Sequence, residues 1–167
     1  MNPIIAIVGP TATGKSALSI ELAKALSGEI VSADSRQVYR YMDIGTAKPS
    51  REDQAAIPHH LIDIIKPDDD FTLATYQELA FKAITNIQRR GKLAFLVGGS
   101  GLYVRAVTGG FSIPKVAPDP ELRRKLEDRA AHEGYKVLYD ELHKLDPQAA
   151  ERIDPRNLRR VIRALEV

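Results

Sequence analysis

Eight residues, Gly9-Pro10-Thr11-Ala12-Thr13-Gly14-Lys15-Ser16, constrain this chain more than any other stretch. They follow a continuous apolar run, Pro3 to Val8, and precede Leu18, Leu22, Ala25 and Leu26 at helical spacing, with Ser27-Gly28 as the stop. The arrangement predicts a strand buried on both faces, a glycine-rich turn and a helix, the G-x-x-x-x-G-K-[ST] loop of parallel α/β sheets. Glycines let the backbone curl so that successive N–H groups point inward at an anion. The helix N-terminus adds the positive end of its dipole, and Lys15 adds a full charge. Gly9, Thr11, Ala12, Thr13, Gly14, Lys15 and Ser16 are therefore the expected lining of a phosphate or diphosphate site. The Ser16 hydroxyl is placed to ligate a magnesium ion, Mg2+, that bridges phosphate oxygens.

Further along, Glu29 to Ala33 reads as a second short strand that delivers Asp34 at its carboxyl end. Residues 35 to 58 read as irregular, punctuated by Gly45, Pro49 and Pro58, and His60 to Ile65 as another strand. Thr72 is a helix N-cap, with Tyr76, Leu79, Ala80, Ala83, Ile84 and Ile87 on one apolar face behind it. Arg89 and Arg90 suit the negative end of that helix, and Gly91 its stop. Lys92 to Val97 is the next buried strand, ending in Gly98-Gly99-Ser100-Gly101. Strands alternating with helices, with glycine at the strand ends, predict an α/β core over residues 1–110. From Phe111 to Pro120 three prolines mark a linker, and helical segments follow near 120–132, 136–145 and 155–167.

The loop leaves the reaction open. A nucleotide hydrolase pairs it with an apolar strand ending in an Asp that supports magnesium, whereas Leu93 to Val97 ends in Gly-Gly. Asp34, in Val-Ser-Ala-Asp-Ser, is the acid at a strand end. There it can serve as a general base beside the phosphates, or as turn chemistry, since Asp-Ser favours turns. Composition narrows the field. The 167 residues contain no Cys, which excludes a disulfide framework, a thiolate zinc site and a cysteine nucleophile. A net charge of +2 does not by itself announce a nucleic-acid partner. Ile4 to Val8 is too short for a membrane span and lacks the flanks of a signal peptide, so a cytoplasmic protein with no membrane partner is expected.

Six blocks in order resemble the tRNA dimethylallyltransferase (tRNA isopentenyltransferase) family. They are Gly9 to Ser16, Asp34-Ser-Arg-Gln-Val-Tyr39, Met42-Asp-Ile-Gly-Thr-Ala-Lys-Pro49, Pro58-His-His-Leu-Ile-Asp63, Phe95-Leu-Val-Gly-Gly-Ser-Gly-Leu-Tyr103 and Asn157-Leu-Arg-Arg-Val-Ile-Arg-Ala-Leu-Glu-Val167. The resemblance implies a P-loop NTPase-like parallel sheet flanked by helices, followed by a helical tRNA-binding segment over 111–167. It implies transfer of a dimethylallyl group from dimethylallyl diphosphate to the exocyclic amine of an adenosine beside the anticodon. In that reaction Asp34 accepts the amine proton, while Lys15 and magnesium stabilise the departing diphosphate. The adenosine is flipped from the anticodon stem-loop. By resemblance Asp34, Ser35, Arg36 and Gln37 contact it, and Ser100, where the family usually has Thr, and Arg123 also face the tRNA.

The last segment carries its own signal. Asp154 and Pro155 read as N-cap and first helical residue, and Leu158, Val161, Ile162 and Leu165 as an apolar stripe. Arg152, Arg156, Arg159, Arg160 and Arg163 stand against one acid, a basic patch that the global charge conceals. A solvated helix face explains such a run in general; for an RNA partner the patch supplies phosphate contacts. With the resemblance at Arg159, Arg160 and Arg163, RNA contact is expected. His59 and His60 are adjacent, their side chains diverge, and they read as structural rather than as metal ligands. Two other chemistries remain open: an adenylate isopentenyltransferase and a P-loop small-molecule kinase. Family members run to roughly twice this length by resemblance, so a monomeric chain that represents the first half and is weakly active or inactive alone is expected.

Overall fold

The computed structural model describes all residues except Met1, Asn2, Phe111, Ser112 and Lys115. Part of the expected linker therefore lies outside the described residues. Two compact units emerge, Met1–Ile113 and Pro114–Val167.

The first unit is built on four parallel strands, β1 (Ile4–Val8), β2 (Gly28–Ser32), β3 (His59–His60) and β4 (Leu93–Gly98), in the order β1-β4-β2-β3. Helix α1 (Lys15–Ala25) covers one face, where Ile20 and Ala23 meet Ile30, Phe95 and Val97. Helix α3 (Leu73–Arg89) covers the other, where Tyr76, Ala80, Ile84 and Ile87 pack on Val31, Ala33, Ala94 and Leu96. Alternate residues of β2 and β4 thus feed two apolar layers, as a central parallel strand must. Thr72 caps α3 by accepting from the Thr75 N–H. A short helix α2 (Arg51–Ala56) precedes β3, and α4 (Gly101–Thr108) follows β4 and adds Val107 to the α3 face.

Several expectations are corrected. β1 is not buried on both faces: Ile4, Ile5 and Ile7 are half-buried and Val8 is 55% exposed, because among the described residues β1 is an edge with a neighbour only at β4. The buried stripe of α1 is Ser19, Ile20 and Ala23, while Leu18 and Leu26 are about half exposed. Residues 35–58 are not irregular throughout, since Ser50 and Asp53 form a reciprocal capping box that starts α2. The expected strand over 60–65 shrinks to His59–His60 plus a single bridge between Tyr39 and Ile65. Left-handed backbone at Leu61 (φ 64°) and Asp63 (φ 55°) interrupts the extension. Arg90 stands at the C-cap of α3 as expected, and its guanidinium also converges with His60 and Lys92 on the buried carboxylate of Glu29 at 2.6–2.9 Å. Burial raises the Glu29 pKa, but hydrogen bonds from His60, Lys92 and Arg90 outweigh it and hold the carboxyl at about 2.

The second unit is helical: α5 (Pro120–Glu133), α6 (Tyr135–Leu145), α7 (Pro147–Glu151) and α8 (Leu158–Glu166). Leu126, Ala130, Leu138, Leu142, Ala150, Val161 and Ile162 form its core. Asp119 caps α5, accepting from the Glu121 and Leu122 N–H groups, with Pro120 next. The apolar stripe of α8 is as expected, but its start is not. Asn157, rather than Asp154, is the N-cap and accepts from Arg160 N–H, while Asp154 closes a local turn on Arg156 N–H.

Candidate active site

The loop from Gly9 to Gly14 joins β1 to α1, and two of its residues are left-handed, Ala12 (φ 65°) and Gly14 (φ 80°). Gly14 is the helix N-cap and supplies no side-chain cap, so the first α1 amides are left to face the loop. The Thr13 hydroxyl donates to the Pro10 carbonyl at 2.9 Å, and Lys15 Nζ donates to the same carbonyl and to Thr13 Oγ1. The Ser16 hydroxyl takes no described partner.

Beside the loop lies a cavity of about 170 Å³. Thr11 to Ser16 form one wall, and Ser32, Asp34 and Gln37 another. Ala47, Pro49, His59 and Ile62 complete it, with Ile30 and Val97 at the sheet. The geometry therefore brings Lys15, Ser16 and Asp34 to one cavity from β1–α1 and from the end of β2. Asp34 Oδ1 accepts from Arg36 N–H at 2.8 Å, and its other oxygen takes no bond from a described residue. The guanidinium of Arg36 likewise has no described partner.

Close backbone approach between β2 and β4 places Asp34. A Cβ on Gly98 would lie 2.1 Å from the Ala33 carbonyl oxygen, so only glycine admits the approach. Ala33 N–H donates to Val97 O at 2.7 Å and Ser100 N–H to Ala33 O at 3.1 Å. The Ser100 hydroxyl does not cap α4; it accepts from Ser35 N–H at 2.8 Å and lies 3.2 Å from the Ser35 hydroxyl. Ser35 and Ser100 thus brace one another at the strand ends.

Gln37 is also committed within the protein. Its Oε1 accepts from the Ser32 hydroxyl at 3.0 Å, and its Nε2 donates to Ala47 O at 2.9 Å. The segment that carries Ala47 is anchored in turn by the next residue, Lys48. Its side chain is 5% exposed, and its ammonium donates to Asp63 (2.6 Å), Asp43 (2.8 Å) and the Tyr39 carbonyl (2.8 Å). Burial opposes that charge, but the Asp43 and Asp63 carboxylates outweigh it and raise the Lys48 pKa. A lysine amid polar residues carries no sequence signal of burial. Nor does Tyr76 signal its role: its buried hydroxyl donates to Ser32 O at 3.0 Å and its ring stacks on Tyr103 at 3.8 Å.

His60 pairs with Glu29, away from the cavity, whereas His59 lines it with Nδ1 donating to Ile57 O at 2.7 Å. Burial lowers the His59 pKa, so its ring is neutral at pH 7. No cluster of three His, Cys, Asp or Glu capable of holding a metal occurs among the described residues. Of the residues expected to face tRNA in the second unit, Arg159 and Arg160 are exposed, while Arg123 and Arg163 both reach Glu166. No described helix is long and apolar enough to cross a membrane.

Comparison with known proteins places the chain. The family model described as IPP transferase matches residues 37–167. A tRNA dimethylallyltransferase of Roseiflexus castenholzii is 59% identical over 167 residues, covering 100% of this chain and 55% of the relative. One of Herpetosiphon aurantiacus is 59% identical over 164 residues, 98% of this chain and 52% of the relative. The chain thus spans about half the length of the curated relatives it matches. Among solved structures, the full-length tRNA isopentenylpyrophosphate transferase of Bacillus halodurans superposes with TM-score 0.67 at 52% identity, over 99% of this chain and 55% of that one. A eukaryotic dimethylallyltransferase acting on tRNA superposes with TM-score 0.81 at 34% identity, over 98% of this chain and 40% of that one. With more than half of its residues matched by the family model and its parallel α/β fold shared with these structures, the chain belongs to the IPP transferase family.

Proposed function

We propose that this chain carries the diphosphate loop and the general base of a tRNA dimethylallyltransferase. The observation that carries the reading is the single cavity that brings Lys15, Ser16 and Asp34 together. The loop amides and Lys15 grip the diphosphate of dimethylallyl diphosphate, with Gly9, Thr11, Ala12, Thr13 and Gly14 shaping the cradle. The exocyclic amine of the flipped adenosine attacks C1 of the allyl group. A nitrogen–carbon bond forms, the carbon–oxygen bond breaks with its electron pair leaving on the diphosphate, and Asp34 takes the amine proton.

The residues present fit a magnesium ion. The Ser16 hydroxyl, without a described partner, is a hard oxygen donor on the cavity wall and would hold the ion, with Asp34 kept for the proton. When bound, magnesium neutralises charge on the diphosphate. Arg36, with its guanidinium unengaged, contacts the nucleotide directly. Gln37, committed to protein partners, shapes the cavity wall, while Ser35 and Ser100 brace the strand ends beside Asp34. The partner is the anticodon stem-loop of a tRNA, read as RNA through the arginines of α5 and α8, Arg123, Arg159, Arg160 and Arg163. The protein acts as a cytoplasmic monomer.

The test is incubation with labelled dimethylallyl diphosphate, unmodified tRNA and magnesium, with diphosphate binding measured in parallel. Label is expected in tRNA, at a slow rate from residues 1–167 alone. Asp34→Asn abolishes transfer but retains diphosphate affinity, whereas Lys15→Ala loses both. Label in AMP alone, or phosphate transfer from ATP, overturns the reading in favour of an adenylate isopentenyltransferase or a kinase.

A further inference from the structure

The Glu166 carboxylate sits at the end of α8 with its side chain 1% exposed, an unusual place for a lone acid among arginines. It accepts four hydrogen bonds. Asp119 N–H (2.6 Å) and Arg123 Nε (2.9 Å) reach Oε1, while Arg123 Nη2 (2.8 Å) and Arg163 Nη1 reach Oε2. Four bonds saturate a carboxylate. Arg163 Nη2 is further tied to the Val116 carbonyl at 2.9 Å. Each guanidinium has five N–H groups in a rigid plane. Arg123 commits two to Glu166, and Arg163 commits one there and one to Val116, leaving three on each. Both side chains remain more than a third exposed. The result is two guanidinium groups tied to one buried carboxylate, each with three N–H groups uncommitted.

From this geometry we infer that Glu166 is a positioning residue for RNA: it sets Arg123 and Arg163 as a paired clamp for backbone phosphate, resting on the proposed RNA substrate. Two alternatives make opposite predictions. If Glu166 only quenches the arginines, freeing them raises the local positive charge and RNA binds more tightly, with a steeper salt dependence. If Glu166 aims them, freeing them costs rotamer entropy at each phosphate they engage and RNA binds more weakly. A fixed fork, unlike a mobile cation, delivers parallel N–H bonds to phosphate oxygens.

The experiment is fluorescence anisotropy of a labelled, unmodified anticodon stem-loop RNA with the full chain across a KCl series. Glu166→Gln removes one negative charge and is expected to weaken binding about tenfold, the cost of losing a charge-assisted hydrogen bond. The slope of log K against log salt is expected to fall by about 0.7 for each phosphate that the arginines no longer engage. Arg123→Lys keeps the net charge and an ammonium within reach of Glu166 but loses the fork. It is expected to weaken binding as well, and because the charge pair survives it serves if the glutamine variant unfolds, as judged by circular dichroism. Unchanged or tighter binding by a folded Glu166→Gln variant overturns the inference while leaving the RNA substrate intact, as does wild-type affinity in Arg123→Lys. Failure of the wild-type chain to bind the RNA overturns the RNA reading itself, and this inference with it.

Discussion

Replacing Gly98 by alanine tests how Asp34, the proposed base, is placed. The added Cβ would lie 2.1 Å from the carbonyl oxygen of Ala33, 2.3 Å from its carbon and 2.9 Å from its Cα. All three are backbone atoms of the residue before Asp34, so no rotamer change relieves the clash. β4 and the end of β2 must separate, stretching Ala33 N–H to Val97 O and Ser100 N–H to Ala33 O. Two buried backbone bonds at about 1 kcal/mol each and overpacking strain of about 1–3 kcal/mol give a loss of about 3–5 kcal/mol. Gly101→Ala is the matched control. Nothing lies within 4 Å of its added Cβ and its φ is not left-handed, so α4 gains up to about 0.5–1 kcal/mol. With two compact units, one global melt does not isolate the effect. Native-state hydrogen exchange of β2 and β4 amides reads the first unit directly. Gly98→Ala should lower their protection while α5 to α8 amides keep theirs. Wild-type protection in Gly98→Ala, or equal damage in Gly101→Ala, would refute the close-approach argument.

Three further outcomes follow from the packing. Glu29 has a folded pKa of about 2 against an ordinary 4.5, so its contribution is complete above pH 4.5 and disappears as pH falls from about 4.5 toward 2. Glu29→Gln should therefore flatten the acid limb of stability, measured by urea titration at stepped pH, and cost about 1–3 kcal/mol at pH 7, below the full buried-pair value because Arg90, Lys92 and His60 are partly exposed. Lys48→Met should cost about 2–4 kcal/mol by removing three acceptors' shared donor, and limited proteolysis should then cut within residues 42–49 well before wild type. Asn157→Ala should destabilise α8 by about 1 kcal/mol, whereas Asp154→Ala costs less; the reverse order in amide exchange of α8 would restore Asp154 as the cap.

Much of the candidate site is legible in the sequence because its chemistry is local. The loop needs a left-handed residue before a lysine at a helix start, and Gly14-Lys15-Ser16 says so. Asp34 stands out as the acid at the end of an apolar strand beside the loop, and its Oδ1 also serves the local turn by accepting from Arg36 N–H. Lys48, Tyr76 and Ser32 are not legible, because each partner lies in a distant segment or across a turn: Lys48 on Asp63, Tyr76 on Ser32, Ser32 on Gln37. The α1 stripe misleads for a similar reason. Leucine spacing marks a helix, but which face is buried depends on where the sheet lies, and the sheet selects Ser19, Ile20 and Ala23.

The sequence alone determined the periodicities, the glycine-rich loop between strand and helix, the acid at the strand end and the switch from α/β to helical texture, since each depends on residues within a turn or two of one another. Tertiary structure decided which polar groups are free. Arg36 and Arg123 look alike as letters, yet Arg36 has no described partner for its guanidinium while Arg123 is forked onto Glu166 43 residues away. A charge is available or engaged according to what folds against it, and that is set by packing between segments rather than by spacing along one.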